Sequence, residues 1–428
     1  MAARLLTTKD CHNIINYMVA DITGQTTSTR VTDTSSFVSA GETLLTYSTE
    51  NVLNSLALLI ARILVATRPY RGKFDILRTI DSGVFSNRLE KISFYSDSSM
   101  PAGAFNTDLY TNLAEGFTAG QNPDENGDPQ SVKSQYEQHR LTPLTVFFGG
   151  RNAWLYGITI DEVAYKDAFR NEQMFNEFIS GMLVEHRNNI ESGLEAYRRM
   201  TFLNYIAGIY DMGAKMPGSV IDLVEEFNKK NSTEYTRDEL LTVYQDDFYA
   251  FFVESVKLIS KRLEHRSVNY HWTPTKQDAA GNYLKLMRHT PRSRQKMALY
   301  APFMISAEAT VMPKIFNDQY LNIDNYESVD FWQFEDAALS PSINVTPAIP
   351  DDLGGQVKGD AVVLPYVLGA IWDEDACLVD VMLDRVATSP LESKKLYYST
   401  WFHYLRGSIN DFTENGVLMI LGEGGPIT

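Results

Sequence analysis

Two stretches of this 428-residue chain alternate between apolar and polar positions. In RLEKISFYSD (88–97), Ile92 and Phe94 fall on one face and Ser93 and Tyr95 on the other. In LTVFFGGRNAWLYGITI (144–160), Leu144, Val146 and Phe148 alternate, followed by Trp154, Tyr156, Ile158 and Ile160. Both read as strands, and Pro143 suits an edge strand, where a missing donor is tolerated. Between them GQNPDENGDPQSVKSQ (120–135) is dense in Gly, Asn, Asp and Pro. The prediction is a long two-stranded hairpin with a polar tip. Such a hairpin is marginal alone in water and needs a neighbour, from this chain or from another.

The strongest helical pattern follows directly, over residues 171–210, with Asn171 as the expected N-cap and no proline inside. Met174, Phe178, Met182, Ile190, Leu194 and Tyr197 lie on one stripe, interrupted by a polar patch at 185–189. At 1.5 Å per residue this helix is about 60 Å long, against an ordinary ~11–12 residues. Gly181 and Gly193 weaken it locally, so it is expected to act as a supported beam. Residues 51–66 repeat Val52, Leu56, Leu59 and Ile63 at helical spacing, and Pro69 marks the stop. Asn54 and Arg62 inside that run argue against a membrane span. Residues 1–47, rich in Thr and Ser, show weak periodicity and read as an extended arm ordered only against another surface.

From 215 to about 362 the pattern is mixed. A short helix is expected at 219–227, a capping box at Thr236 and Glu239, a strand over 296–306, and a helical start from 307 ended by Pro313. Residues 340–360 read as a loop. At the other end, WFHYLRGSINDFTENGVLMILG (401–422) presents an aromatic strand, Asn415-Gly416, and an apolar run. Asn-Gly is the strongest two-residue hairpin turn signal, because both residues tolerate positive φ. The run through Leu418 and Ile420 is expected to close a core sheet.

With 44% hydrophobic and 12% aromatic residues, the chain can bury a substantial core. The formal charge is −16, from 54 acidic and 38 basic residues, which argues against general affinity for nucleic acid. Only Cys11 and Cys377 occur, so a disulfide framework and a Cys-rich zinc site are excluded and a reducing compartment is expected. Arg4, Lys9, Asp10 and His12 interrupt the first twenty residues, unlike a signal peptide.

No catalytic centre emerges from the motifs. In DENGD (124–128) Gly127 is fourth rather than sixth and Gln135 stands at the twelfth position, so no calcium loop is expected. LGEGG (421–425) has no helix after it to present amides to a phosphate. The seven histidines are scattered, and no G-x-S-x-G elbow exists. Asp373, Glu374 and Asp375 could do acid–base work or hold a metal, but lack a second ligand motif. Cys377 reads as a buried structural thiol. RHTPRSRQK (288–296), with Arg288, Arg292, Arg294 and Lys296, is the one basic cluster and reads first as a solvated loop, with DNA or an acidic neighbouring subunit as other partners.

The order of these elements resembles the major capsid proteins of tailed bacteriophages, the Hong Kong 97-type fold. The resemblance is most specific in RLTPLTVFFGGRNAWLYGITI leading into the helix through 210, and in VVLPYVLGAIWDEDAC and STWFHYLRGSINDFTENGVLMIL. The late strands are similar to those of small short-tailed phages. It implies an α+β chain with an N-arm and following helix at 1–70 and an E-loop hairpin at 71–160. A P-domain spine helix at 161–214, an A-domain at 215–365 and returning C-terminal strands at 366–428 complete it.

The resemblance further implies a structural protein, not an enzyme, with no cofactor and no bound metal. It would associate with itself as hexamers and pentamers of an icosahedral shell in the virion, assembled in the host cytoplasm. Its partners would be a portal, a scaffolding protein encoded separately, and packaged double-stranded DNA held without sequence-specific contacts. No membrane is involved. Some relatives crosslink an E-loop lysine; Lys91 and Lys133 lie in that segment but match no motif, so no crosslink is expected. An encapsulin-like compartment shell and, more distantly, a soluble metal-dependent hydrolase using Asp373, Glu374 and Asp375 are the alternatives. From the alternation alone, Ile92, Phe94, Phe147, Phe148 and Trp154 are expected to form the hairpin's contact face.

Overall fold

The computed structural model describes residues 8–23, 31–46, 72–82, 88–95, 142–150, 152–161, 172–276, 284–310, 326–333, 341–351 and 355–424. The helix expected at 51–66, the hairpin tip at 120–135, Lys133 and Asn171 lie outside these residues.

The N-terminal arm is not extended. It forms two helices, α1 (Thr8–Thr23) and α2 (Thr34–Thr46). Cys11, Ile14, Ile15, Met18 and Val19 are buried, as are Phe37, Ala40 and Leu44, each set at helical spacing. The Ser/Thr-rich stretch at 24–36 dominates the arm's composition and hid that spacing. Phe37 meets Phe175 edge-on at 5.7 Å, which seats α2 against the long helix, and α1 packs on both.

Strands β1 (Arg78–Ile80), β2 (Arg88–Phe94), β3 (Pro143–Gly149) and β4 (Asn152–Asp161) follow. β2 and β3 pair antiparallel from Arg88 opposite Gly149 to Phe94 opposite Pro143, the expected hairpin. The alternating run 144–160 is nevertheless two strands in two sheets. Gly150, with φ of +130°, turns the chain between them. The long helix is α3 (Glu172–Asp211), 40 residues as expected.

The segment 219–227 is part strand: β5 (Val220–Asp222) precedes α4 (Leu223–Asn231), whose first amides, from Val224 and Glu225, are accepted by Asp222. Thr236 and Glu239 form the expected capping box at the start of α5 (Arg237–Thr242), and α6 (Gln245–Leu263) follows. The apolar run 296–306 divides into β6 (Gln295–Tyr300) and α7 (Ala301–Thr310). After β7 (Tyr326–Val329), the expected loop at 340–360 instead contains β8 (Ile343–Val345), β9 (Ala348–Pro350) and β10 (Gln356–Lys358). β9 and β10 form a small hairpin, and β8 pairs with β11 (Val362–Leu364).

The remaining strands are β12 (Val367–Asp373), β13 (Cys377–Thr388), β14 (Tyr397–Asn410) and β15 (Gly416–Ile420). One sheet has the order β1-β13-β14-β4 and the other β5-β15-β12-β6-β7. β14 and β15 therefore do not form the hairpin that Asn415-Gly416 suggests. They belong to different sheets, joined by a buried crossover at 411–415. Neither Asn415 nor Gly416 has positive φ.

Gly416 is required for another reason. A Cβ there would stand 2.1 Å from the Tyr205 hydroxyl and 3.0 Å from Ile209 Cδ1, both on α3. Phe412 stacks on Tyr205 at 5.4 Å and lies over Gly208, where a Cβ would stand 2.3 Å from its ring. The C-terminal half of α3 thus packs against both sheets. Tyr205, Ile206, Ile209, Phe202, Trp332 and Trp372 share one core with β12 and β15, and every residue of β12 is buried.

Gly416→Ala should destabilise the chain by about 2 kcal/mol through overpacking against α3. The denaturant midpoint would fall while Asn415→Gly, judged as a turn residue, would bring no gain.

Candidate assembly surface

Direct opposition in the β2–β3 ladder sorts the hairpin into two faces. Glu90 opposes Phe147, Ile92 opposes Thr145 and Phe94 opposes Pro143, so these six share one face. On that face Ile92 is 59% exposed and Phe94 54%, with Phe147 half-buried. The other face carries Leu144, Val146 and Phe148, buried with Tyr95, Leu286, Leu378 and Ile409.

The five residues expected to make one contact face therefore do not share one. Ile92, Phe94 and Phe147 point outward. Phe148 is 5% exposed and turned into the chain's own core, because a period of two puts neighbours 147 and 148 on opposite faces. Trp154 lies on β4, meets Tyr197 of α3 edge-on at 4.6 Å and joins the main core. A second apolar surface, which the sequence reading missed, lies on the four-stranded sheet. Leu155 of β4 is 53% exposed and Trp401 of β14 40%. Trp401 lies against Gly157, where a Cβ would meet its ring at 2.6 Å. Gly157, on the strand opposite Trp401, was the available signal.

A polar lock holds the hairpin's inner face to the body. Lys91 Nζ donates to the Asp411 carboxylate and, at 2.5 Å, to Glu414. Arg288 donates to Ser93 Oγ at 2.7 Å and to the Thr413 carbonyl at 3.1 Å, and lies 3.5 Å from Glu414. Burial disfavours the Lys91 ammonium, but Asp411 and Glu414 outweigh it and hold its pKa above the ordinary lysine value. Burial pushes the Glu414 carboxyl up, against Lys91 and Arg288. The ion pairs of Lys91 were not expected from the sequence, and Arg288, expected first in a solvated loop, is half-buried and bonded to the hairpin and the crossover.

The same crossover carries a buried hydrogen-bond chain. His271 Nε2 lies 2.7 Å from the Leu286 carbonyl, and Nδ1 faces the Asn415 amide at 3.1 Å. Asn415 Nδ2 donates to Thr290 Oγ1, and Thr290 donates to Asp373 at 2.9 Å. Burial lowers the His271 pKa to about 4, so near pH 7 the ring is neutral and its single N–H donates to one of the two oxygens it faces, the Leu286 carbonyl or Asn415 Oδ1. Asp373 also accepts from Arg294 at 3.3 Å. Arg294 pairs with Glu374 and Asp375 as well, and Arg78 reaches Asp375 at 2.5 Å. The basic cluster at 288–296 thus spends Arg288 and Arg294 on this chain's own carboxylates. The acidic triplet is a structural ion network, and among the described residues no group of His, Cys, Asp or Glu is arranged to hold a metal. Cys377 is fully buried, which pushes its thiol pKa up, as a structural thiol requires. No described helix is long and apolar enough to cross a membrane.

The fold is α+β, and its structural neighbours include chains from bacteriophage capsid structures. A capsid structure of Staphylococcus phage Andhra covers 82% of this chain and 84% of its own, with a TM-score of 0.47 and 11% identity. A Cyanophage Pam1 capsid chain covers 82% and 90%, at 0.44 and 8%. A chain from the capsid of Cyanophage P-SCSP1u covers 83% and 90%, at 0.41 and 8%. No protein-family model and no curated protein matches the sequence.

Lys91→Met should destabilise the chain by about 3 kcal/mol, because it leaves the buried Asp411 carboxylate without its cation. Amide exchange in β2 and β3 would rise more than in β12. For His271 the folded pKa lies below the unfolded value, so its stabilising contribution is present above about pH 6.5. It is lost as pH falls towards about 4, to the extent of about 3 kcal/mol. Comparing denaturation of the parent with His271→Gln across pH 4–7 should show a shallower acid slope in the variant.

Proposed function

We propose that this chain is a major capsid protein, the subunit of an icosahedral shell that encloses the double-stranded DNA of a tailed phage. Hexamers and pentamers would tile the shell, with the A-domain segment gathered near each local rotation axis and a portal at one vertex. The observation that carries this reading is the hairpin. It is locked to the body through one face by Lys91, Arg288 and an apolar core, while its other face presents Ile92 and Phe94 to solvent. Burying that second face on a neighbouring subunit would remove apolar area from water without disturbing the lock.

A shell also gives meaning to the chain's charge. A formal −16 disfavours adhesion of the subunit to packaged DNA. Arg288 and Arg294 of the basic cluster, which could have contacted phosphate, are instead paired internally. Each intersubunit contact can be modest, since a subunit makes many at once.

The test is negative-stain electron microscopy of the purified protein, alone and co-expressed with a scaffolding protein from the same genome. Closed shells or capsomers are expected from the parent. Phe94→Ser should retain the folded subunit, since Phe94 is exposed, and lose shells. Particles from Phe94→Ser indistinguishable from the parent's would remove the hairpin from the assembly contact. A parent that stays a monomer or dimer in both settings would overturn the shell reading itself.

A further inference from the structure

The four-stranded sheet turns one face to α3 and leaves the other open. Register separates the two. Trp154, Tyr156, Phe402 and Tyr404 lie on the helix side, where Trp154 meets Tyr197 and both Tyr156 and Phe402 meet His186. Trp401, one residue out of step, points the other way. It stands opposite Ala387 on β13 and Gly157 on β4, so small residues flank the indole on both sides. Three neighbouring ring carbons lie 2.6, 2.8 and 3.0 Å from the point where a Gly157 Cβ would stand. Distances so alike place that point over the face of the ring, not beyond its edge. The indole therefore lies flat on the sheet, and its 40% exposure belongs to the opposite face.

The same register sets what surrounds the ring. His403 lies two residues along β14, and Arg385 stands opposite it on β13. Leu155 and Thr159 are the β4 residues on either side of Gly157 on that face, with Asp161 beyond Thr159. Arg385, Thr159 and Asp161 are exposed, and His403 is half-buried. None of these four side chains has a hydrogen bond or an ion pair among the described residues. Elsewhere Arg78, Arg288, Arg294 and Arg406 each engage a carboxylate of their own chain. The open face thus combines one flat apolar ring, an apolar corner at Leu155, and a collar of uncommitted donors and acceptors.

We propose that this platform binds a carbohydrate, one pyranose ring stacking on Trp401 while its hydroxyls bond to Arg385, His403 and Thr159. A pyranose with equatorial hydroxyls has C–H groups on its faces and polar groups round its rim, the same division that the platform presents. Its C–H face meets the negative face of the indole. The site is flat and open at both ends, so it accepts an internal ring of a glycan as well as a terminal one. A second copy of this chain fits the face less well. Trp401 and Leu155 are its only exposed large apolar residues among those described, too few for the core of a contact of about 800 Å² per partner. Covering Arg385 and Asp161 with protein would also desolvate two charges that have no partner among the described residues.

The proposal does not rest on the shell reading, because it is tested on the dissociated subunit. The probes are chitotriose and cellotriose, with mannitol, an open-chain polyol, as the control for a ring. Binding is followed by tryptophan fluorescence and by saturation-transfer NMR. The parent should bind at least one trisaccharide with a Kd of about 1 mM, as expected for one stacked ring of about a dozen atoms, and should not bind mannitol. Trp401→Ala should weaken binding about tenfold, and Trp401→Tyr should restore part of it. Arg385→Ala removes a side chain with no partner among the described residues, so it should unfold with the parent and weaken binding about threefold. No transfer from either trisaccharide at about 10 mM overturns the site. So does binding that Trp401→Ala leaves unchanged; if that variant does not fold, unchanged binding by Arg385→Ala is decisive in its place. Loss of shells in Arg385→Ala, with no sugar bound by the parent, would assign the face to a neighbouring subunit and likewise overturn the proposal.

Discussion

The structure depends on one buried crossover, the segment from Asp411 to Gly416 that carries the chain from the four-stranded sheet to the five-stranded sheet. Its place is set by van der Waals contact with α3. Phe412 lies over Gly208 and stacks on Tyr205, and Gly416 admits the Tyr205 hydroxyl where any side chain would collide. Backbone bonds then tie the segment to its surroundings: Trp272 N to the Phe412 carbonyl, Gly416 N to the Tyr270 carbonyl, and Asp373 N to the Asn415 carbonyl. A crossover buried this deeply must have its polar groups satisfied, and here they are met from several distant parts of the chain.

That requirement links the crossover to the surface. Asp411 and Glu414 need cations, and the hairpin supplies Lys91. Arg288, bound to the Thr413 carbonyl, reaches back to Ser93 of the same hairpin. The hairpin's orientation is thus a by-product of satisfying buried charge. Once Lys91, Ser93, Val146 and Phe148 face the body, the period of two obliges Ile92 and Phe94 to face outward. The solvent-facing apolar stripe follows from a core constraint at least as much as from any selection on the stripe itself.

The same logic distinguishes the residues that hold the subunit together from those available to a neighbour. Arginines and carboxylates that look reactive in sequence, Arg294 with Asp373, Glu374 and Asp375, are consumed by one another. Among the exposed apolar residues, Ile92 and Phe94 sit on a strand of the hairpin, Leu155 and Trp401 on strands of the four-stranded sheet, and Leu396 in the turn at its far tip. Rigid elements carrying exposed apolar residues are what multivalent self-association needs, because little conformational entropy remains to be lost on contact.

Local signals were legible in the sequence wherever one segment decides its own structure. The 40-residue helix, the pairing of 88–94 with 143–149, and the capping box at Thr236 and Glu239 depend on periodicity and on residues within a turn of one another. Ile14 and Met18, and Phe37 and Leu44, carry helical spacing in the two N-terminal helices, but the Ser/Thr-rich stretch at 24–36 dominates the pattern of the arm as a whole. Other features were decided only in three dimensions. Asn415-Gly416 has the chemistry of a hairpin turn, yet Tyr205 and Ile209, some two hundred residues earlier, determine why glycine is there. Ile92 and Phe148 are equally apolar and lie on adjacent strands of one hairpin, but long-range contacts, Lys91 and Arg288 to the crossover and Phe148 to Leu286, Leu378 and Ile409, decide which of them meets water. Periodicity states that a strand has two faces, and the long-range contact that selects the buried one is absent from any local window.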